Sequence, residues 1–429
     1  MGMHIYFSGI GGTGIGPLAL IAKQAGFTVS GSDKQQSQYT DYLQNHGISL
    51  HIGQTTEQIA TEHATEPIDW LVYSSALPLE QPDHPELRFA GEHGIKTSKR
   101  DACINEVLGA KQLSMLAVAG THGKTTTTAM LVWLFKELQQ PLSYSVGAKI
   151  PFGDMGHYAP GSAYFAYECD EFDRNFLQFH PKMSLITSVD WDHHEIYPTR
   201  DDYKTAFRQF VSQSEHVIAF EKDVTYLALE TANITIVSDD DPYIGHIKLA
   251  GEHNRRNARL AVEMAKHVSG ASVDTLIEII SRFPGSSRRF EKITDNLYSD
   301  YAHTPEEVAA TIQMARELSD NVVVVYEPLT DRRQHFMKDL YGSIFEPAKH
   351  VYWLPSYLAR EDASQTILSP AELIAHLSPN TVAEVAAKND ALRSKIVNHL
   401  TQGDLVLCIA GGGGKSLDEW IRQAFAGKA

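Results

Sequence analysis

Three apolar runs, each ending in a glycine-rich turn, constrain this chain more than any other feature. They are HIYFSGIGGTGIG from His4, LAVAGTHGKTTTT from Leu116 and DLVLCIAGGGG from Asp404. A short apolar run that breaks at glycines and passes into an apolar-periodic stretch reads as a strand feeding a helix. Repetition of that unit builds a parallel sheet covered by helices. The first unit gives a strand over His4–Ser8, a helix from about Pro17 to Gln24 and a second strand ending at Asp33, with WLVYSSA at 70–76 as the third. The second continues through AYFAYECDEFD and SLITSVDWDHHEIY, apolar strands with acidic or histidine-rich ends. The third reads NVVVVYEP, HVYWLP and DLVLCIAGGGG as strands. The expected class is α/β in three domains, 1–110, 111–287 and 288–429.

Composition narrows the function classes. A chain of 429 residues exceeds one ordinary domain, and an apolar fraction of 43% is that of a soluble globular protein. No run approaches the roughly 18 apolar residues of a membrane span. The start MGMHIYFSGIGG has no charged-then-apolar leader, and Tyr6 stands where a myristoylation signal needs Ser or Thr. Cys103, Cys169 and Cys408 are odd in number and far apart, which points to a reducing cytoplasm without structural disulfides or a zinc site. A net charge of −16 opposes binding to a nucleic-acid backbone. It leaves anionic small ligands open, because a few local cations and backbone N–H groups can hold a phosphate.

Two glycine loops carry phosphate chemistry. Gly9, Gly11 and Gly14 form G-x-G-x-x-G between a strand and a helix, with Asp33 at the end of the next strand, a pattern shared by dinucleotide sites. A nicotinamide dehydrogenase and a ligand-free tight turn both remain compatible with it. The loop Gly120-Thr121-His122-Gly123-Lys124-Thr125 has Val118 where the usual ATP loop has its first glycine, so it is shorter. It keeps two glycines, a lysine for the terminal phosphates and a hydroxyl for magnesium. Two acidic clusters flank it in sequence: Glu168, Asp170, Glu171 and Asp173, then Asp190, Asp192, His193, His194 and Glu195. Each lies at a strand end, where carboxylates beside a phosphate loop make natural magnesium ligands; the alternative is a pair of solvated polar loops. Glu168 and Asp170 share a parity that would place both on one face.

Nine motifs in order, GIGGTGIGPLA, SGSD, SSA, AVAGTHGKTTTT, ECDEFDRNFLQFHP, ITSVDWDHHEIY, GEHNRRNA, GSSRRFE and DYAHTPEEV, carry a resemblance to the Mur ligases, the ATP-dependent amide-forming enzymes of peptidoglycan precursor synthesis. The resemblance implies a Rossmann-like N-terminal domain that binds UDP-sugar, a central P-loop-type domain that binds ATP, and a Rossmann-like C-terminal domain that closes over ATP and the amino acid. It implies that L-alanine is joined to the lactyl carboxylate of UDP-N-acetylmuramate through an acyl phosphate, with ATP and magnesium; composition points to the cytoplasm and against nucleic-acid or membrane partners, and the oligomeric state, monomer or dimer, stays open. Carried over, Gly120, Thr121, His122, Gly123, Lys124, Thr125 and Thr126 would hold ATP. Thr125, Glu168 and His193 would hold magnesium, with Glu168 shared between two ions. His253, Asn254 and Asn257 match the adenine side, Arg289 and Asp300 the phosphate side. Gly11, Gly12, Thr13, Gly14, Asp33, Ser74 and Ser75 would take the sugar nucleotide, and Tyr301, His303 and Arg333 the amino acid. Lys124, Glu168, His193 and His303 are the catalytic set so implied.

Departures bear on the incoming amine. Arg208 stands where ligases of later steps carry a carbamylated lysine, which fits the alanine-adding branch. YEPLTDRRQHF puts Leu329 and Thr330 where that branch has His-Arg, and keeps only Arg333. Its Glu-Pro also occurs in the recycling ligase that attaches a whole tripeptide. Thr304 replaces a usual second histidine, and Ser188 a usual asparagine. DEFDRNFLQFHP lacks the recycling enzyme's longer segment, so alanine addition is preferred over tripeptide addition, and the intact Lys124, Thr125, Glu168 and His193 set favours it over a non-catalytic UDP-sugar or ATP binder.

Overall fold

The computed structural model describes residues 2–74, 77–193, 196–230, 232–359, 361–362 and 364–425, apart from the side chains of Gln38, Leu79 and Glu80. Ser75, His194 and Glu195, named above, lie outside the described residues. The architecture is the expected three-domain α/β one, with three parallel-rich sheets.

The first sheet runs Ser49–Ile52, Thr28–Asp33, His4–Ser8, Trp70–Tyr73, Lys96–Lys99, with every pair parallel. His4–Ser8 is buried at every residue, and Ile5, Tyr6 and Phe7 form its apolar centre. The chain first builds outward on one side of this strand and then crosses to the other. That reversal opens a crevice at the carboxyl ends, where the first glycine turn sits. The expected helix is Gly16–Gln24, with Pro17 in its first turn. Within WLVYSSA, Trp70–Tyr73 forms a strand, the fourth in chain order because Ser49–Ile52 precedes it, and Ser75 and Ala76 lie outside the described residues.

The second sheet runs Ile234–Val237, Val217–Phe220, Met183–Ile186, Ser114–Ala119, Tyr164–Glu168, Ser143–Ser145, Gly156–His157; only the last pair is antiparallel. Its central strand, Ser114–Ala119, carries the second glycine loop. The third sheet runs Glu291–Thr294, Leu297–Asp300, Leu405–Ala410, Val322–Glu327, His350–Trp353, Ala383–Val385, with only the first pair antiparallel. Both of its faces are covered. Val322, Val324 and Tyr326 join one apolar cluster while Val323 and Val325 join another, as period-two geometry requires.

Two compact units result: Met1–Ile247 with Asn257–Phe283, and Lys248–Arg256 with Pro284–Ala429. The first holds the first two sheets, which share a core in which Ile5, Phe7 and Ile21 belong to one cluster with Phe165, Phe176 and Phe207. Their seam is close. A Cβ on Gly156 would lie 2.4 Å from the Pro17 carbonyl oxygen, and the Tyr158 amide donates to Gln24 Oε1 at 2.7 Å. Lys99 crosses to Asp173 at 2.8 Å. The three cysteines are free and buried. Among the described residues no helix is long and apolar enough to cross a membrane.

Candidate active site

The strand Ser114–Ala119 ends in the loop 120–123, and the helix Lys124–Glu137 begins directly after it. Two glycines make this turn possible. Gly120 (φ +136°) leaves no room for a side chain, since a Cβ would stand 2.2 Å from Thr187 Oγ1. Gly123 (φ +83°) occupies the left-handed region, and a Cβ there would meet Asn257 Nδ2 at 2.6 Å. The neighbouring strand end braces the loop. The Thr121 amide donates to the Ser188 carbonyl at 2.9 Å, the His122 amide to Ser188 Oγ at 3.1 Å, and Thr121 Oγ1 to the Asp190 carbonyl at 2.8 Å. No side chain caps the helix and its first turn has no acidic residue, which leaves an N-terminus suited to an anion. Thr126 lies buried in that turn.

Lys124 folds back over this loop. Its Nζ donates to the Gly120 carbonyl at 2.6 Å, to the Thr121 carbonyl at 3.3 Å and to Glu171 Oε2 at 2.6 Å, with Asp170 at 3.9 Å. Burial opposes the lysine's charge, but Glu171 and Asp170 outweigh it and hold its pKa above the usual value. Glu171 is fully buried. Burial raises its pKa, yet Lys124 and His193 pull it below the ordinary carboxylate range on balance. His193 has a left-handed backbone (φ 54°), and its Nε2 lies 3.5 Å from Glu171 Oε1. Its burial disfavours the cation, but Glu171 and Asp192 raise its pKa overall.

Glu168 closes its strand against the loop. Thr125 Oγ1 donates to Glu168 Oε2 at 2.8 Å, and the Gly147 amide to Oε1 at 2.5 Å. Glu168 thus meets Thr125, whereas His193 meets Glu171. Asp170 lies beyond the strand end, where strand parity no longer applies. Among the described residues no group of three or more His, Cys, Asp or Glu side chains is gathered as a metal cage. The paired oxygens of Thr125 and Glu168 nevertheless fit magnesium, which takes one or two carboxylates and completes its shell with phosphates and water. His193 Nδ1, buried without a hydrogen-bond partner, offers a further donor. Sequence reasoning gave Glu171 no role of its own; its only signal was membership of the acidic run.

On the first sheet a cavity of about 270 Å³ is lined by Gly9, Gly11, Gly12, Asp33, Lys34, Gln54 and Ser74, among others. The Gly11 amide donates to Asp33 Oδ2 at 2.8 Å. Gln54, which sequence reasoning missed, is 5% exposed, donates to Ser8 Oγ at 3.1 Å and keeps Oε1 without a partner. Thr13 is exposed; Gly14 sits against Arg100, whose Nη1 would be 2.7 Å from a Cβ at that position.

The second unit, taken by itself, gathers another set. His253 is held neutral by burial, with its pKa lowered to about 4 and its Nδ1 unpartnered. Asn254 Nδ2 donates to the Ala250 carbonyl at 3.1 Å. Asp300 accepts from the amides of Phe290 at 2.6 Å and Ala302 at 2.7 Å. Tyr301 carries the guanidinium groups of Arg288 and Arg289 over its ring, at 4.5 and 5.0 Å. His303 Nδ1 lies 3.1 Å from Glu307, and burial lowers its pKa despite that carboxylate. Arg333 adds to the lowering, and its own Nη1 is buried without a partner. Leu329 and His303 close on Gly411, where a Cβ would lie 2.9 and 3.0 Å from them.

Three departures have structural reasons. Thr304 caps the helix Pro305–Leu318 in a capping box with Glu307. Ser188 braces the ATP-type loop, as described. Arg208 Nε donates to the Leu227 carbonyl at 2.7 Å, tying two helices.

Three sequence-family profiles match in order: "Mur ligase family, catalytic domain" over residues 4–112, "Mur ligase middle domain" over 118–238 and "Mur ligase, glutamate ligase domain" over 288–412. The UDP-N-acetylmuramate--L-alanine ligase of Syntrophomonas wolfei is 31% identical, with 84% of each chain covered. The solved UDP-N-acetylmuramate-alanine ligase of Thermotoga maritima superposes with a TM-score of 0.73 at 22% identity, over 98% of this chain and 97% of its own. A murein peptide ligase from Psychrobacter arcticus gives 0.67 at 21%, over 99% and 98%. The chain belongs to the Mur ligase family.

Proposed function

We propose that this chain joins L-alanine to the lactyl carboxylate of UDP-N-acetylmuramate, with cleavage of ATP to ADP and phosphate, in peptidoglycan precursor synthesis in the cytoplasm. The observation that carries it is the meeting of the loop 120–125 with Glu168: an anion-ready helix end, a lysine and a Thr–carboxylate pair at adjacent strand ends. We assign the sugar nucleotide to a domain ending near residue 110, ATP to one ending near 287, and the amino acid to the remainder.

A carboxylate does not condense with an amine in water, because its oxygen is a poor leaving group. The lactyl carboxylate therefore attacks the γ-phosphorus of ATP, giving an acyl phosphate and ADP. Lys124 moves from Glu171 to the β and γ phosphates and offsets the charge on the transferring group. Glu171 keeps His193 beside it at 3.5 Å, so the lysine's departure leaves no buried lone carboxylate. Thr125, Glu168 and His193 are the residues that would hold magnesium, which supplies charge neutralisation at the phosphates. On the second unit, Arg333 binds the carboxylate of the incoming amino acid, and His303, kept neutral by burial, accepts a proton from its ammonium. The free amine attacks the acyl carbon, and the tetrahedral intermediate expels phosphate, which carries off the second amine proton.

Glu327-Pro328 and the Leu329-Thr330 pair favour one second reading, attachment of the L-Ala-γ-D-Glu-meso-diaminopimelate tripeptide. The test supplies purified chain with UDP-N-acetylmuramate and ATP, and compares L-alanine, glycine, L-serine and the tripeptide by product mass. L-alanine is expected to be used at least about tenfold better than the others, a margin of ~1.4 kcal/mol. Preference for the tripeptide would replace the reading, and ATP binding without any product would leave a non-catalytic binder.

A further inference from the structure

Between the two glycine loops lies a cation that neither loop uses. Arg100 opens the helix Arg100–Lys111 directly after the edge strand Lys96–Lys99, at the carboxyl end of the first sheet. On one side its Nη1 is so close to the glycine turn that a Cβ on Gly14 would stand 2.7 Å away. On the other side it feels Tyr167 and Asp170, and Asp170 is 3.9 Å from Lys124 Nζ. The cavity beside the first glycine turn, Arg100 against Gly14 of that turn, and the Asp170–Lys124 pair all belong to a single compact unit. Among the described residues, only Asp101 is in ion-pair range of the guanidinium, at Nε and 3.4 Å. Nη1, a terminal nitrogen of the kind that fits a phosphate or carboxylate, faces the turn.

We propose that Arg100 is a positioning residue that grips an anionic group of the sugar nucleotide and aims its carboxylate at the ATP loop. This rests on the ligase reading above. A substrate with its base in the cavity and its carboxylate at Lys124 must cross this seam with two anionic groups, a pyrophosphate and the lactyl carboxylate. Arg100 stands where either passes. The bland alternative is a structural ion pair with Asp101 that pins the helix end.

The experiment uses the full chain with Arg100→Ala and Arg100→Lys, read by steady-state kinetics and by calorimetric binding of UDP-N-acetylmuramate, UDP-N-acetylglucosamine and ATP. The alanine variant is expected to raise KM for UDP-N-acetylmuramate by about tenfold or more, the scale of one charge-assisted contact, while KM for ATP stays within about twofold. Lysine restores part of the loss. Equal weakening of both sugar nucleotides assigns the grip to the pyrophosphate; weakening of the muramate alone assigns it to the lactyl carboxylate, which the glucosamine compound lacks. Unchanged sugar-nucleotide binding, or parallel loss of ATP binding with a lowered melting temperature, overturns the proposal. A wild-type chain that binds no UDP-N-acetylmuramate overturns the ligase reading itself, and shows this before any variant is compared.

Discussion

Glu171, itself fully buried, pairs with Lys124 and lies beside His193, so its loss removes the nearest counter-charge of a largely buried ammonium. Glu171→Ala is expected to lower stability by about 3 kcal/mol, the range for breaking one side of a buried pair, measured by urea denaturation of the unliganded chain. His253 makes a second residue-scale prediction. Its folded pKa of about 4 lies below the usual 6.5, so the unfolded chain binds the extra proton between those values. Stability from this site is intact above pH 6.5 and is lost as pH falls toward 4, by at most about 3.5 kcal/mol at ~1.4 kcal/mol per unit. His253→Phe should flatten that segment of a denaturation-versus-pH curve; an unchanged slope would show the ring to be solvated. The sequence made Lys124, Thr125 and Glu168 legible because spacing around a glycine loop is local. It could not separate Glu171 from Asp170 or Asp173, because which carboxylate receives the lysine depends on where the strand stops.

Elements follow the same division between local and distant causes. The strands His4–Ser8, Ser114–Ala119 and Leu405–Ala410 are buried throughout or nearly so around apolar centres, and those runs announce them. Lys96–Lys99 and Glu291–Thr294 are short, polar and lie at sheet edges, where pairing with a neighbour decides and the residues themselves say little. Thr304 illustrates an element-scale choice. As the cap of Pro305–Leu318 its side chain accepts the Glu307 amide at 3.3 Å. Thr304→Ala should cost about 1 kcal/mol in denaturation of the chain, and Thr304→Ser almost nothing. Equal losses in both would place the effect outside the cap.

At the scale of the molecule, three glycine-tipped runs announced three sheets, and three sheets are found. That the first two share one core was hidden, because the packing of Pro17 on Gly156 joins residues far apart in sequence through a missing side chain. The same packing brings the crevice of one sheet and the phosphate loop of the next into one compact unit, which a substrate with a nucleotide at one end and a carboxylate at the other requires. Gln54 and Arg100 were illegible for this reason: each acquires meaning only from a cavity or a neighbouring turn.

The proposed chemistry stands or falls with residues 120–125 gripping the ATP whose γ-phosphate activates the carboxylate. The decisive assay is alanine-dependent phosphate release from ATP, with UDP-N-acetylmuramate present, for the wild type and Lys124→Ala at matched melting temperature. A loss of about a thousandfold or more is expected in the variant, the scale of removing a charge from a phosphoryl-transfer site. A variant that keeps the wild-type rate would show that the lysine and its loop do not hold the reacting phosphate.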